Sequence, residues 1–360
     1  VEAIEVRAAV VPTDEPESDG TLEWDRTTVV VVTARAGGER GVGWTYADAS
    51  SGRLARELLA PLVLGRDAMD VEGAYLATLR AVRNLGRPGV AAMAISAVDA
   101  ALWDLKARLL ELPLFRVLGA ARAEIPAYGS GGFTSYSTRR LQEQLGGWAE
   151  QGLRMVKMKV GRDPAADAAR VRAARAAVGE EVSLFVDANG AYAPKQALDL
   201  GERFAASGVT WLEEPVSSDD LEGLRRVRDR APAGMDVAAG EYGYDPWYFR
   251  RMLGAGAVDV LQADATRCGG PSGFLRAAAL CDGFELPLST HCAPQLHAHL
   301  ACAASRARHV EWFHDHARIE RLLFDGALHP HRGALRPDPS RPGVGVEPRW
   351  QEFERLEVRL

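Results

Sequence analysis

Three short apolar runs in this chain end in an acid at nearly equal intervals, and that repeat limits the fold more than any other feature. Ser183-Leu184-Phe185-Val186-Asp187 breaks at Asn189-Gly190; Val209-Thr210-Trp211-Leu212-Glu213 follows, then Val237-Ala238-Ala239-Gly240-Glu241. The acids stand 26 and then 28 residues apart, about the length of one parallel strand plus its crossover helix. In a parallel barrel, equivalent strand ends lie side by side on one rim. Three carboxylates gathered there repel: at ~4 Å and an effective dielectric near ~20, each pair costs roughly 4 kcal/mol. A hard divalent cation among them reverses the sign. The pattern points to an oxygen-ligated metal site, with Mg²⁺ the first choice, held by Asp187, Glu213 and Glu241. The alternative is three unrelated acids at loop starts, each ordinary when taken alone.

The repeat extends in both directions. Strand-like runs at Ile125–Tyr128, Arg154–Val160, Glu181–Val186, Val209–Leu212, Met235–Ala239, Val258–Ala263, Glu285–Thr290 and Arg308–Phe313 alternate with amphipathic helical stretches such as Pro164–Val178, Pro194–Ser207, Leu221–Arg230 and Ser272–Asp282. Eight strands in this alternation predict a TIM-like (β/α)7β barrel rather than an open sheet. Before it, Ile4–Val11, Thr27–Ala34 and Gly41–Tyr46 read as strands, and Ala91–Leu110 as a long apolar-faced helix closed by Pro113. Thr13–Asp25 is polar and unpatterned and reads as a loop, either a lid or a plain connection. The expected division is an N-terminal α+β capping domain over 1–120, a catalytic barrel over 121–323, and a Pro- and Gly-rich segment over 324–360 that returns to the cap.

Composition removes several function classes. A net charge of −6 disfavours nucleic acid as a partner. No apolar run reaches the ~18 residues of a membrane span, and the start shows no basic-then-apolar leader. The four cysteines, Cys268, Cys281, Cys292 and Cys302, lack zinc-site spacing, so reduced thiols in a cytoplasmic protein are expected. No GxGxxG or P-loop follows a strand, which disfavours dinucleotide or ATP binding.

Chemistry then falls to the other strand ends. Lys157 and Lys159 sit two apart on the second barrel strand and share a face. Crowding of the two ammonium groups and a nearby metal is expected to lower a lysine pKa toward the range a base needs. Asp264 ends the sixth strand and His291 the seventh, so the carboxylate is placed to hold the imidazole by Nδ1 and raise its basicity. Glu311, on the eighth strand, is suited to hydrogen-bond a substrate oxygen if protonated. Glu214 alternates with Glu213 and is expected to be structural. Arg267 reads equally as a support of the site or a loop salt bridge. Among the remaining histidines, His297, His299, His309, His316, His329 and His331 read as structural, and only His314 as a further candidate. Cys268 has no assignable role.

Lys157-Met158-Lys159, three metal carboxylates, then Asp264, His291 and Glu311 on successive strands resemble the mandelate racemase subgroup of the enolase superfamily, over essentially the whole chain. The resemblance implies Lys159 as the base on one face and Asp264 with His291 as the dyad on the other. It implies Asp187, Glu213 (in Glu213-Glu214-Pro215) and Glu241 as ligands of Mg²⁺, Lys157 as a carboxylate contact, and Glu311 as the acid beside that carboxylate. The sixth-strand position carries Asp264 and no lysine, unlike the muconate-cycloisomerase and dipeptide-epimerase types. The expected chemistry is abstraction of the proton α to a small-molecule carboxylate to give an ene-diolate. Acid-sugar dehydration to a 2-keto-3-deoxy acid is the commoner outcome, racemisation or epimerisation of a 2-hydroxy acid the alternative, and a non-catalytic metal-binding barrel a second alternative. The resemblance also implies a homo-oligomer. Substrate choice is expected to lie in Thr13–Asp25, the turn near Trp44–Asp48 and the loops after each strand.

Overall fold

The first three strands form an antiparallel sheet, β1 (Ala3–Ser18), β2 (Glu23–Ala36) and β3 (Glu39–Tyr46). The buried Val29–Ala34 stretch of β2 packs against helix Val90–Leu109, whose alanine-rich face lets the backbones approach. The approach is close enough to require glycine on β3: a Cβ at Gly41 or Gly43 would lie 2.3 Å from the helix backbone at Ala97, Ala101 or Leu105. The same helix ties this layer to the rest of the chain. Asp99 accepts from the Ser272 N–H and hydroxyl, and Asp104 accepts from Val42 and Val344 N–H.

Thr13–Asp25 is not a loop. β1 continues to Ser18 and pairs with β2 as far as Glu17↔Trp24 and Ser18↔Glu23, after a register shift beyond Pro12. Its polar sequence hides the strand because this end of the hairpin lies across the barrel mouth and needs polar partners there. Ser18 Oγ meets Thr134 Oγ1 at 2.6 Å, and Thr27 bonds Asp315. The tip, Asp19–Leu22, is closed by Asp19 Oδ1 accepting from Thr21 and Leu22 N–H. Gly20 touches the rim itself: a Cβ there would meet Ala188 O at 2.5 Å and Val160 O at 2.8 Å.

The computed structural model describes all 360 residues and contains a closed eight-stranded parallel barrel. Its strands are β4 (Ile125–Gly131), β5 (Met155–Lys159), β6 (Ser183–Asp187), β7 (Val209–Glu213), β8 (Asp236–Ala239), β9 (Val260–Ala263), β10 (Leu288–Thr290) and β11 (Ala307–Phe313), with β11 pairing to β4. Each crossover is helical. Helix Pro164–Val178 shows the local logic: Asp163 caps it, proline opens it, Val171, Ala174 and Val178 face inward, and Gly179 at φ +75° ends it. Tyr128, Phe185, Trp211 and Val260 fill the barrel interior with His309, so the strand ends above them stand on a solid floor. After the barrel, Ala334–Leu335 pairs with β4 and Glu357–Val358 with β1. No helix is long and apolar enough to cross a membrane.

Candidate metal centre and active site

Register places the acids. Lys159 pairs with Asp187 across β5 and β6, and Asp187 with Glu213 across β6 and β7. Glu241 follows β8 by two residues. All three carboxylates are buried, and their ligand oxygens lie within 4.8 Å of one another. Glu241 Oε2 is buried without a hydrogen bond; it lies 3.2 Å from His291 Nε2, but not in hydrogen-bonding alignment. Three convergent carboxylates, offering oxygen only and holding one unsatisfied buried oxygen, fit a hard divalent cation such as Mg²⁺.

The two lysines face this cluster. Lys159 Nζ bonds Asp187 Oδ2 at 2.5 Å. Lys157 Nζ, fully buried, lies 2.5 Å from Glu213 Oε1, 2.8 Å from Glu311 Oε1 and 3.5 Å from Asp187 Oδ2. Burial pushes Glu213 up to about 8, helped by Asp187. Burial also works against ionised Asp187, but Lys159 and Lys157 outweigh it and hold that carboxyl down at about 2.

The expected lowering of the lysine pKa is not seen. Burial favours the neutral amine, yet Asp187 holds Lys159 above the ordinary lysine range, and Glu213 with Glu311 does the same to Lys157. Lysine–lysine repulsion acts in the expected direction, but the attraction of the facing carboxylates is stronger. A bound cation reverses this local logic.

His291 follows β10 and stands at the far end of the triad. Its Nδ1 is 2.8 Å from Asp264 Oδ2, as the spacing anticipates. Asp264 Oδ1 is engaged by the Thr266 N–H and hydroxyl, so the carboxylate cannot swing away. Burial disfavours the imidazolium, but Glu241 and Asp264 more than offset it and raise the His291 pKa. Glu311 differs from its expected protonated form. Burial opposes its charge, but Lys157 holds it well below the usual carboxylate range, and its Oε2 accepts the Cys292 N–H at 2.6 Å. Arg267 bridges the site, 3.4 Å from Glu241 Oε1 and 3.7 Å from Asp264 Oδ2. His314 serves the hairpin instead, bonding Asp14 at 3.2 Å. Glu214 is outside the triad. At φ +37° it turns into a neighbouring cavity of ≈ 590 Å³ beside Tyr248 and Ser217.

A cavity of ≈ 420 Å³ opens above the centre, lined by Lys159, Glu241, Asp264, His291 and Glu311 and roofed by the hairpin. Several of its walls are not singled out as residues by the sequence, although Trp24 and Tyr46 fall within Thr13–Asp25 and Trp44–Asp48, two stretches expected to set substrate choice. Trp24 and Tyr46 come from the cap, Asn189 from the turn after Asp187, Cys292 from the turn after β10, and His316 from the first turn of helix His314–Leu323, which follows β11 directly. Asn189 had a signal, as the residue beside a rim acid. His316 had none: its ring stacks on Tyr46 at 3.4 Å, a contact between the two ends of the chain.

Comparison with known proteins agrees with this geometry. Residues 3–119 match the family model for the mandelate racemase / muconate lactonizing enzyme N-terminal domain, and residues 140–352 the enolase C-terminal domain-like model. A mandelate racemase/muconate lactonizing enzyme-like protein from Rubrobacter xylanophilus is 56% identical, superposes with a TM-score of 0.98, and the match covers 99% of each chain. A racemase from Streptomyces coelicolor, solved with bound magnesium, is 28% identical with a TM-score of 0.93 and 99% of each chain covered. The L-talarate/galactarate dehydratase of Salmonella typhimurium is 32% identical over 344 residues, 91% of this chain and 86% of the relative. With both halves matched and the barrel closed, the chain belongs to the mandelate racemase subgroup of the enolase superfamily.

Proposed function

We propose that this protein is an Mg²⁺-dependent acid-sugar dehydratase, which removes the proton α to a carboxylate and expels the β-hydroxyl to leave a 2-keto-3-deoxy acid. The observation that carries this reading is the two-ended site. The Lys159 ammonium touches Asp187 at one end of the acid triad, and the His291 imidazole approaches Glu241 at the other. A substrate held over the triad offers one face to each.

Asp187, Glu213 and Glu241 would hold the ion. When bound, Mg²⁺ supplies positive charge that offsets the charge developing on the substrate carboxylate. Lys159 takes the α-proton at Nζ. His291, oriented through Nδ1 by Asp264, gives a proton from Nε2 to the departing hydroxyl, so that the net loss is one water. Lys157 adds charge beside the substrate carboxylate, with Glu311 fixing the ammonium. The cavity suits a small polyhydroxy acid, and the L-talarate/galactarate dehydratase relative supports the reaction class. We take the working form to be a homo-oligomer, as the family resemblance implies, and cytoplasmic, as four free cysteines without zinc-site spacing suggest.

The test is a screen of acid sugars with Mg²⁺, read by appearance of 2-keto-3-deoxy products. The same two-ended site also serves racemisation. Exchange of the α-proton with solvent deuterium, with no keto product from any acid in the screen, would replace dehydration by that reading.

A further inference from the structure

Beside Glu241 of the triad lies a second group of ligands of different chemistry. His291, Cys292 and Glu311 are all buried, and their ligand atoms lie within 4.8 Å of one another. Cys292 Sγ is 3.3 Å from His291 Nε2. Two ligands on one tetrahedral zinc, at roughly 2.0 Å for nitrogen and 2.3 Å for sulfur, lie roughly 3.5 Å apart, so the pair is already near coordinating separation. His291 Nδ1 is held by Asp264, which turns Nε2 toward Cys292 Sγ, with Glu241 Oε2 also at 3.2 Å, and supplies the carboxylate–histidine support common at zinc sites. Cys292 and Ala293 both have left-handed backbone, at φ +52° and +40°, and within this turn the Cys292 N–H also binds Glu311. All three residues line the ≈ 420 Å³ cavity, so an ion reaches them from solvent.

We propose that His291, Cys292 and Glu311 form a second metal site, for a thiophilic divalent ion such as Zn²⁺ or Cd²⁺, separate from the carboxylate centre. The donor set explains the separation. Sulfur and nitrogen favour a borderline or soft ion, whereas Mg²⁺ prefers oxygen. Binding replaces the thiol proton, which leaves to solvent, by the metal–sulfur bond. The thiolate and the Glu311 carboxylate then neutralise the two positive charges, and Lys157 keeps its contact with Glu311. An ion there takes the His291 Nε2 lone pair, so soft metals block whatever proton transfer that nitrogen performs while Mg²⁺ stays bound.

The experiment titrates Cd²⁺ into the intact protein held in a large excess of Mg²⁺, reading heat and the ultraviolet thiolate-to-cadmium band. The proposal expects one Cd²⁺ per chain with that band. In Cys292→Ser and Cys292→Ala the band vanishes and affinity falls at least 100-fold, while each variant binds Mg²⁺ as the parent does, which shows it folded. His291→Asn weakens Cd²⁺ at least tenfold. The proposal is overturned if the band survives in both cysteine variants, which would assign it to Cys268, Cys281 or Cys302. It is equally overturned if added Mg²⁺ displaces Cd²⁺ one for one, which would place the ion at the Asp187 centre.

Discussion

Two buried acid clusters, one on the barrel rim and one behind the cavity-lining Trp24 and Thr27 of the hairpin, manage their charge differently. On the barrel rim, Asp187, Glu213 and Glu241 meet two ammonium groups and an imidazole at contact distance. On the hairpin, Glu17 is fully buried, bonds only the Trp24 indole at 2.9 Å, leaves Oε1 without a partner, and stands near the equally buried Asp315. An uncompensated buried carboxylate costs several kcal/mol. Both hold a proton more tightly than a free carboxyl, with Glu213 and Glu17 each pushed up to about 8 by burial and a neighbouring acid; only the rim adds fixed cations at contact distance and the donor set for one more. Burial of an acid therefore does not identify a metal ligand. What separates the two clusters is convergence of several oxygens together with the cations around them.

The largest effect should follow from breaking the rim. Glu213→Gln keeps the shape and an acceptor for the Trp211 indole, which donates to Glu213 Oε2 at 2.9 Å, but removes one charge from the ligand set. Turnover should fall at least ~10²–10³-fold, and calorimetry should show Mg²⁺ binding weakened in parallel. Chelation should abolish activity in the parent, with recovery on adding Mg²⁺. Unchanged Mg²⁺ affinity in the variant would make the rim no different in kind from the hairpin.

Next comes the division of labour across the rim. Lys159→Ala should stop exchange of the α-proton with solvent deuterium. His291→Asn should stop dehydration yet leave exchange running, because the first proton transfer does not need it. Loss of all exchange in both variants would mean that the two ends of the triad do not address separate faces of the substrate.

Gly20 tests whether the hairpin closes the cavity. A valine there would collide with the Ala188 and Val160 carbonyls, lifting the tip while leaving the β1–β2 pairing below it intact. KM should rise roughly tenfold, with the effect on kcat smaller and the melting temperature little changed. An unaltered KM would reduce the hairpin to a scaffold.

The same contrast decides what the sequence discloses. The rim is legible because strand length, crossover length and the acid at each strand end recur in phase, and every strand of the barrel falls within a few residues of its expected place. Lys157, Lys159, Asp264 and His291 are legible for the same reason, since barrel closure turns strand order into spatial order. The hairpin is illegible because its end is buried by polar partners distant in sequence, Thr134 and Asp315, so no apolar alternation marks Thr13 to Ser18. Trp24 and Tyr46 are legible only as members of Thr13–Asp25 and Trp44–Asp48, and His316 not at all, because all three become cavity walls only once the cap lies on the barrel. The direction of the lysine pKa shifts is illegible for a related reason, since contact distances to Asp187 and Glu311 are not a property of spacing.

The smallest effect, and the sharpest separation of the two clusters, is in pH. Glu17 faces Asp315, Arg318 and Asp14, with Asp315 the stronger influence after burial. Its folded pKa of about 8 lies above the ordinary value of 4.5. Hence the seated hairpin holds a proton that a lifted one releases between those values. Seating is favoured most below about 4.5 and loses that contribution as pH rises through about 8. Trp24, held by Glu17 and packed edge-on against Phe133 at 5.7 Å, should loosen with it. KM should therefore climb roughly 3–10-fold from pH ~6 to pH ~9, with kcat following the rim groups instead. Glu17→Gln keeps an acceptor for the indole and cannot ionise, so it should hold KM flat over that range while leaving the pH profile of kcat in place. Glu17→Leu should raise KM at every pH, because the indole loses its partner. A parental KM profile that persists in the glutamine variant would assign the titration to the rim, and the hairpin acid would then be a structural residue only.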